Sequence, residues 1–354
     1  MVEKMTAAVM HGPGDIRIER VARPECPAGG FVLRVKAVGL CGSDIRNLTT
    51  DSRRGDYPFI YGHEVVGEVC EVAPQVDRYQ LGQMIYVYPE AACLRCENCR
   101  SGHSEQCTSV EHYTDHPGGF AEYIAYDHLR VERGATFELP AGTDPVLATL
   151  AEPLSSTYAC VENIDVHLGD TVVILGAGPV GIMLSVLSRL RGAARVILAD
   201  TSSARLGLSE QFDIDERVDS SKVDPVEEVL RITGGVGADK VISANPSTAA
   251  QQQALAMARR AGVVVFFGGV AKGALTEIDT NLIHYRGLWI HGHYGANSMQ
   301  VQRAFELSLS PRFPTRSILT HILPLSDIND AVRLTREGRA LKVALIPEKG
   351  KNNE

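Results

Sequence analysis

One glycine-rich turn constrains the fold of this chain more than any other segment. Its sequence, Gly176-Ala-Gly178-Pro-Val-Gly181, follows the apolar run Thr171–Leu175 and opens the helical pattern Pro179–Leu190. A strand, a tight glycine turn and a helix in that order form the first half of a βαβ unit. Strand and helix patterns then alternate to about residue 267. The sequence therefore predicts a doubly wound parallel sheet in this half of the chain.

The same turn has the glycine spacing of a dinucleotide-binding loop. Gly176 permits the tight turn, Gly178 lets the backbone approach a pyrophosphate, and Gly181 lets the helix pack closely on the strand. The helix N-terminus, at Pro179 and Val180, then faces the anion. Asp200 ends the next strand, 19 residues after Gly181. Its carboxylate would accept hydrogen bonds from ribose hydroxyls and repel a 2′-phosphate, so we expect NAD rather than NADP. The alternative is a glycine turn of an α/β fold that binds no cofactor.

The N-terminal part of the chain has a different texture. Short β-branched runs are separated by Gly, Pro and Asp, which predicts an antiparallel, barrel-like domain. These runs are Ile16–Val21, Phe31–Val38, Val65–Val72, Met84–Val87 and Phe120–Ile124. A chain of 354 residues is long enough for two domains. We assign residues 1–155 and 297–354 to one domain and residues 156–296 to the other.

Four closely spaced cysteines predict a metal site. Cys93, Cys96, Cys99 and Cys107 follow the pattern C-x2-C-x2-C-x7-C. Four thiolates this close can complete a tetrahedral shell around one zinc ion, and a closed shell leaves no position for chemistry. We therefore expect a structural zinc lobe over residues 90–110. The alternative is a metal-free or redox-active thiol patch.

Charge and composition exclude some classes of protein. The net charge of −8 disfavours nucleic-acid binding, which usually needs a basic face. The N-terminus lacks the apolar segment of a signal peptide, and the longest uncharged stretch is interrupted by glycines and a proline, so we expect neither secretion nor a membrane span. Eight cysteines in such a chain are better interpreted as metal ligands in a reducing cytoplasm than as disulfides.

A second ligand set lies upstream, in Cys41-Gly-Ser43-Asp44 and Gly-His63-Glu64. Thiolate, imidazole and carboxylate are the ligands that zinc uses when one position stays open. With the other motifs, these residues make the chain resemble the zinc-dependent medium-chain alcohol dehydrogenases over residues 5–347. The matching motifs are CGSD at 41–44, GHE at 62–64, the four cysteines, GGFAEY at 118–123, AEPLS at 151–155, GAGPVG at 176–181 and LKV at 341–343. AEPLS is similar to the polyol (sorbitol) and threonine dehydrogenase branch.

The resemblance implies a GroES-like catalytic domain beside a Rossmann domain, and it implies roles for particular residues. Cys41 and His63 would bind a catalytic zinc, and Glu64 and Glu152 would be further ligands, with the permanent one left open. Ser43 would contact the substrate hydroxyl and relay its proton, while Asp44 would orient His63. Arg205 and Lys342 would lie near the adenosine and the phosphates of the cofactor, or be solvated surface charges.

The implied activity is hydride transfer from a secondary alcohol to NAD, with two zincs per chain. The alcohol would be a polyol, a sugar or a sugar derivative, and the protein a homo-oligomer, either a tetramer or a dimer. An L-threonine 3-dehydrogenase-like or a polyol-phosphate dehydrogenase activity is the main alternative. A zinc-free reductase is disfavoured by the joint presence of Cys41, His63 and Glu64, and a non-enzymatic NAD-binding protein would not need Ser43 or Glu152.

One position departs from the family pattern. The family often places a relay histidine five residues after the catalytic cysteine, and this chain has Arg46 there. Arginine stays protonated, so it cannot relay protons as histidine does. Arg46 is either a surface residue or the binding group for an anion, an idea to which the neighbouring Arg53 and Arg54 add.

Overall fold

The computed structural model describes residues 2–50, 57–110, 112 and 116–347; Arg53 and Arg54 lie outside these ranges. The chain divides into two compact units, Met1–Ser155 with Asn297–Glu354, and Ser156–Ala296. Within the described ranges, every helix is too short or too polar to cross a lipid bilayer.

The secondary structure elements are numbered in chain order. The strands are β1 Lys4–Gly12, β2 Asp15–Ala22, β3 Phe31–Leu40, β4 Glu64–Val72, β5 Met84–Val87, β6 Tyr123–Tyr126, β7 Thr136–Glu138, β8 Thr171–Leu175, β9 Arg195–Asp200, β10 Glu216–Asp219, β11 Ala238–Ser243, β12 Ala258–Phe266, β13 Trp289–Gly292, β14 His321–Pro324 and β15 Val343–Ile346. The helices are α1 Gly42–Thr49, α2 Glu97–Arg100, α3 His128–Arg133, α4 Pro145–Ala148, α5 Ala151–Asn163, α6 Pro179–Leu190, α7 Ser203–Leu208, α8 Pro225–Ile232, α9 Thr248–Met257, α10 Thr280–Arg286, α11 Ser298–Ser308, α12 Thr315–Ile318 and α13 Ile328–Arg336.

The first unit is built on a seven-stranded, largely antiparallel sheet. The strand order is β14-β15-β3-β4-β5-β7, with β6 also paired to β3, and only β14 and β15 run parallel. Alternating apolar side chains bury one continuous core, which includes Phe31, Leu33, Val65 and Ile85. Strand β3 ends one residue before Cys41, and β4 begins at Glu64, so this core fixes the positions of both residues.

The second unit is a six-stranded sheet in which all strands are parallel. Its order is β10-β9-β8-β11-β12-β13, so the chain starts in the middle of the sheet and winds first one way and then the other. The predicted parallel sheet is confirmed. The order reverses between β8 and β11, and the carboxyl ends of strands at such a point form a binding crevice. Gly176 directly follows β8 there.

Two element boundaries differ from the sequence prediction. The sequence pattern from Ala249 to Arg260 predicts one helix, but α9 ends at Met257, because β12 begins at Ala258 and pairs with Ala238 of β11. The strand expected over Phe120–Ile124 begins only at Tyr123. Phe120 instead donates its N–H to Tyr61 and accepts the N–H of Ala8, so its backbone bridges two separate segments. Backbone pairing with distant segments decides both boundaries, and the secondary-structure propensity of the local sequence does not predict such pairing.

Candidate metal centres and cofactor turn

Four predicted ligands converge in the first unit. Ligand atoms of Cys41, His63, Glu64 and Glu152 all lie within 4.8 Å of one another. They come from separate elements: Cys41 precedes α1, His63 and Glu64 stand at the start of β4, and Glu152 lies in the first turn of α5. Three residues that are distant in sequence from Glu152 therefore share one small volume with it.

Asp44 connects two of these ligands. Its Oδ2 atom accepts the backbone N–H of Cys41 at 3.0 Å, and its Oδ1 atom lies 3.0 Å from Nδ1 of His63. Asp44 is fully buried. The bond to Nδ1 leaves Nε2 of His63 as the ring atom for a metal. Burial alone would lower the pKa of His63, but the adjacent Asp44 and Cys41 raise it well above its ordinary value.

Glu64 is held by a buried lysine. Oε1 of Glu64 accepts a hydrogen bond from Nζ of Lys342 at 2.5 Å, and the two residues are 0% and 3% exposed. Oε2 of Glu64 is buried and has no hydrogen-bond partner among the described residues. It lies against Gly39 of β3, where an added Cβ would come within 1.8 Å of it. Only glycine at position 39 leaves room for this carboxylate.

Lys342 is buried in the first unit, which excludes the alternative of a solvated surface charge, while its expected place near the cofactor phosphates stays a prediction. Its ammonium group is neither solvated nor free, because it is committed to Glu64 inside the first unit. Lys342 directly precedes β15. Because β15 pairs with β3, the lysine lies within hydrogen-bond distance of Glu64. Burial would lower the pKa of Lys342, but the charges of Glu64 and Cys41 raise it.

Glu152 has a different electrostatic environment. Burial raises its pKa to about 7; the carboxylates of Glu64 and Glu90 add to the rise, and the charges of His63 and Lys342 oppose it. A carboxylate that is hard to ionise without a cation nearby is suited to bind one. The donor set of one thiolate, one imidazole and carboxylates fits zinc with an open position.

The four cysteines also converge as predicted. The Sγ atoms of Cys93, Cys96, Cys99 and Cys107 lie within 4.8 Å of one another. All eight cysteines of the chain are free thiols. Backbone N–H groups of Cys99 and Thr108 lower the pKa of Cys96 to about 6, so one ligand is ready as a thiolate. Burial, followed by the neighbouring thiols, raises the pKa of Cys99 to about 12. A closed set of four sulfurs fits one zinc ion.

Two arginines of α3 and one serine attach this zinc lobe to the first unit. Arg130 is buried and donates to the carbonyls of Tyr88 and Pro89 at 2.7 and 2.6 Å. Arg133 donates to the carbonyls of Ala91 and Ser109, which lie at the two ends of the lobe. Ser104, inside the lobe, accepts the N–H of Ser298 at the start of α11 at 2.9 Å. Hydrogen bonds therefore hold the lobe at both of its ends and at Ser104 in its interior.

In the second unit the glycine turn has the predicted strand–turn–helix setting. Gly176 has a φ of +119°, which favours glycine. A Cβ on Gly181 would come within 1.7 Å of the Gly176 carbonyl oxygen, whereas one on Gly178 would meet no atom within 4 Å. Helix α6 thus packs tightly behind the turn, and the open side at Gly178 has room for a pyrophosphate. Pro179 and Val180 form the first turn of α6.

Asp200 stands at the end of β9, beside this turn. Its carboxylate accepts the N–H groups of Ala177 at 2.6 Å and of Ser202 at 2.7 Å. It therefore orders the turn, a role that the sequence did not indicate. Arg205 follows in α7, with its backbone N–H capped by Ser202.

In the first unit, Ser43 is half-buried beside Cys41, whereas Arg46 is exposed.

Sequence reasoning missed Gly39, the Lys342–Glu64 pair and the two arginines of α3. Lys342 left a signal, since a lone lysine between the apolar Leu341 and Val343 indicates a buried, paired charge. The sequence around Gly39 contains no such signal, because the contact of Gly39 with Glu64 depends on the register of β3 against β4.

Comparison with known proteins agrees with this architecture. Residues 27–133 match the alcohol dehydrogenase GroES-like domain, and residues 179–310 match the zinc-binding dehydrogenase domain. A sorbitol dehydrogenase of Bacillus subtilis is 30% identical over 98% of both chains. An erythritol/L-threitol dehydrogenase of Mycolicibacterium smegmatis is 31% identical, again over 98% of both chains.

Among solved structures, a zinc-binding dehydrogenase of Sinorhizobium meliloti 1021 bound to NADP superposes with a TM-score of 0.88. It is 28% identical, and the match covers 98% of this chain and all of that one. The chain belongs to the zinc-dependent medium-chain alcohol dehydrogenase family, in its sorbitol and threonine dehydrogenase branch, and is an oxidoreductase that acts on CH–OH groups with zinc and a nicotinamide cofactor.

Proposed function

We propose that this enzyme oxidises a secondary alcohol of a polyol with NAD, at a zinc held by Cys41, His63 and Glu152. The observation that carries the proposal is the convergence of these ligands within 4.8 Å, with Asp44 behind His63. Zinc, when bound, supplies the Lewis acidity that lowers the pKa of the substrate hydroxyl, and the nicotinamide accepts the hydride.

The Lys342–Glu64 pair supports Glu152 as the permanent ligand. Lys342 neutralises Glu64 and occupies its Oε1 atom. The charges of His63 and Lys342 also act on Glu152, but its raised pKa of about 7 still indicates a carboxylate that is costly to ionise without a bound cation. Oε2 of Glu64 has no hydrogen-bond partner among the described residues, so Glu64 can act as a transient ligand while one substrate leaves and the next one binds.

We further propose that Ser43 moves the substrate proton. Its Oγ atom stands at the start of α1, two residues after the ligand Cys41. A hydroxyl donates and accepts, so it can take a proton from the substrate and pass it on. An arginine cannot relay protons as a histidine does, so Arg46 in place of the relay histidine leaves the onward path to water.

We propose two zinc ions per chain, one in each ligand set. The test is metal analysis of purified protein, with expected contents near two for the parent and near one for Cys41→Ser. The matched variant Cys96→Ser should lose the other ion. An unchanged metal content and full activity in Cys41→Ser would sink the catalytic assignment.

For the cofactor we propose NAD. The carboxylate of Asp200 places a negative charge beside the turn, and it would repel a 2′-phosphate. The NADP bound in the Sinorhizobium meliloti relative makes the test necessary. We expect kcat/KM to be higher with NAD than with NADP, and Asp200→Ser to narrow the difference. A parent enzyme that prefers NADP would contradict the proposal.

The substrate class is inferred from two of the relatives at about 30% identity, whose names specify sorbitol and erythritol or L-threitol. A screen for NADH production over tetritols, pentitols, hexitols, polyol phosphates, inositols and L-threonine should give its highest kcat/KM with a neutral polyol. A preference for a phosphorylated polyol that Arg46→Ala abolishes would favour the anion-binding role of Arg46 instead. A preference for L-threonine would move the enzyme to the other activity of its branch.

We also propose a homo-oligomer in the reducing cytoplasm, where the zinc-binding thiols stay unoxidised. Strand β13 is the last strand of the parallel sheet, and no strand of the described residues lies on its outer side. Its Trp289 is 73% exposed, and Ile290 is also exposed. A second copy that pairs with β13 would cover both. Light scattering should give more than one chain for the parent and a smaller assembly for Trp289→Lys. Leu168→Lys, at a leucine outside β13 that is 85% exposed, is the control.

A further inference from the structure

Tyr86 carries a buried hydroxyl that the described part of the chain leaves unpaired. The residue lies in the middle of β5 and is fully buried. Among the described residues its hydroxyl has no hydrogen-bond partner. Buried hydroxyls are normally paired, because an unpaired one loses its bonds to water without replacement. This exception therefore requires an explanation.

The ring of Tyr86 cannot turn to find a partner elsewhere. It stacks on Phe305 with a centroid distance of 5.7 Å and an interplanar angle of 8°. The ring of Phe137 also contacts Tyr86, with a centroid distance of 6.0 Å. Val66 and Ala151 belong to the same apolar cluster. The direction of the hydroxyl is thus fixed by packing.

The sheet register and the apolar cluster place Tyr86 among residues that adjoin two carboxylate ligands of the catalytic set, Glu64 and Glu152. Tyr86 pairs with Val66 across β4 and β5, and Glu64 lies two residues before Val66, so all three share one face of the sheet. Ala151, which belongs to the same cluster as Tyr86, directly precedes Glu152. A phenolic hydroxyl is protonated at neutral pH, so towards a carboxylate it acts as the hydrogen-bond donor.

We propose that Tyr86 is a positioning residue whose hydroxyl donates a hydrogen bond to the Glu152 carboxylate when that carboxylate binds the catalytic metal. The inference rests on the proposed function, since it takes Glu152 as a ligand. A ligating carboxylate has one oxygen on the metal and a second that needs a donor from the protein. The two glutamates are then treated differently: Lys342 neutralises Glu64, while Tyr86 orients Glu152 and leaves its charge for the metal.

Tyr86→Phe tests this bond, because it removes one oxygen and keeps the stacked ring. Tyr79→Phe is the matched control: Tyr79 is a buried tyrosine of the same unit whose hydroxyl bonds to Thr136 at 2.9 Å. The readouts are the dissociation constant of cobalt in the catalytic set, measured against a chelator, the visible spectrum of that cobalt, and the melting temperature with and without metal.

We expect Tyr86→Phe to weaken cobalt binding about tenfold and to change the cobalt spectrum. Its metal-free form should melt no lower than the parent, since the lost hydroxyl had no partner, whereas Tyr79→Phe should lower the melting temperature and leave the cobalt affinity unchanged. In Glu152→Gln, adding Tyr86→Phe should cause no further loss of affinity.

Unchanged cobalt affinity and spectrum in Tyr86→Phe would overturn the inference. A purely structural role would instead lower the melting temperature of the metal-free form. Cys41→Ser separates this failure from failure of the proposed function. If Cys41→Ser loses the cobalt and Tyr86→Phe does not, only the role of Tyr86 is wrong. If Cys41→Ser retains it, the catalytic metal site itself is wrong.

Discussion

Nζ of Lys342 lies 2.5 Å from Oε1 of Glu64, and both side chains are buried. The pair joins the end of the chain to β4, across 278 positions of sequence. Removing the cation should leave a buried, unpaired carboxylate. We expect Lys342→Met to cost the metal-free protein about 3–5 kcal/mol of unfolding free energy. Urea unfolding measures the loss, and bound zinc should reduce it because Glu64 can then turn to the metal.

The double variant Lys342→Met with Glu64→Gln is the control for this prediction. It removes both charges, so it should recover much of the stability lost by Lys342→Met alone. A single variant as stable as the parent would mean that the pair contributes nothing.

Asp44→Asn tests the support of His63. The amide cannot serve as the anionic partner of Nδ1, although its size is the same. We expect the zinc affinity of the catalytic set to fall 10- to 100-fold, with little change in circular dichroism. Chelator competition measures the affinity. Asp15→Asn, at an exposed aspartate paired with Arg17, should leave it unchanged; an equal loss in both variants would contradict the assignment.

The metal-free and metal-loaded forms should respond to pH in opposite directions. Glu152 has a pKa of about 7 when folded and 4.5 ordinarily, so folding retains its proton and stability falls as pH rises from 4.5 through 7. His63 has a raised pKa, so its stabilising contribution also disappears as pH rises through that value. The metal-free protein should therefore melt at a lower temperature at pH 8 than at pH 5.5.

Zinc reverses this trend because it binds the neutral imidazole and the ionised carboxylate, so its affinity increases with pH. Differential scanning fluorimetry of both forms across this range measures the two slopes. Glu152→Gln should flatten the slope of the metal-free form. A metal-free melting temperature that rises with pH would show that these groups do not govern stability.

Leu94, between the first two cysteines of the zinc lobe, has a φ of +56°. A left-handed backbone costs a non-glycine residue about 1–2 kcal/mol, and glycine's greater freedom in the unfolded chain offsets about half of that. Leu94→Gly should therefore equal or exceed the parent in melting temperature, whereas Leu94→Val should fall below it and release zinc sooner. Leu81→Val, at another exposed leucine, controls for β-branching. The reverse ranking at position 94 would exclude backbone strain in the lobe.

How much of the molecule could be predicted depended on how local each feature is. The turn at Gly176–Gly181 and the four-cysteine lobe are coded within short segments, and both formed as predicted. Glu152 could be assigned only through its family resemblance, because nothing near it in sequence points to a metal. The contact of Lys342 with Glu64 was not predicted, because it requires β15, β3 and β4 to lie side by side. Pairing between distant strands has no local signature, so such contacts were missed.

Gly39 has a consequence for how this site can change over generations. A methyl group at position 39 would collide with Oε2 of Glu64, and a shorter residue at position 64 would strand the ammonium group of Lys342. Mutations at these three positions are therefore tolerated in only some orders. Loss of either charge alone leaves the other buried and unpaired, and the glycine can change only after the glutamate has been replaced, so the three are inherited as one unit.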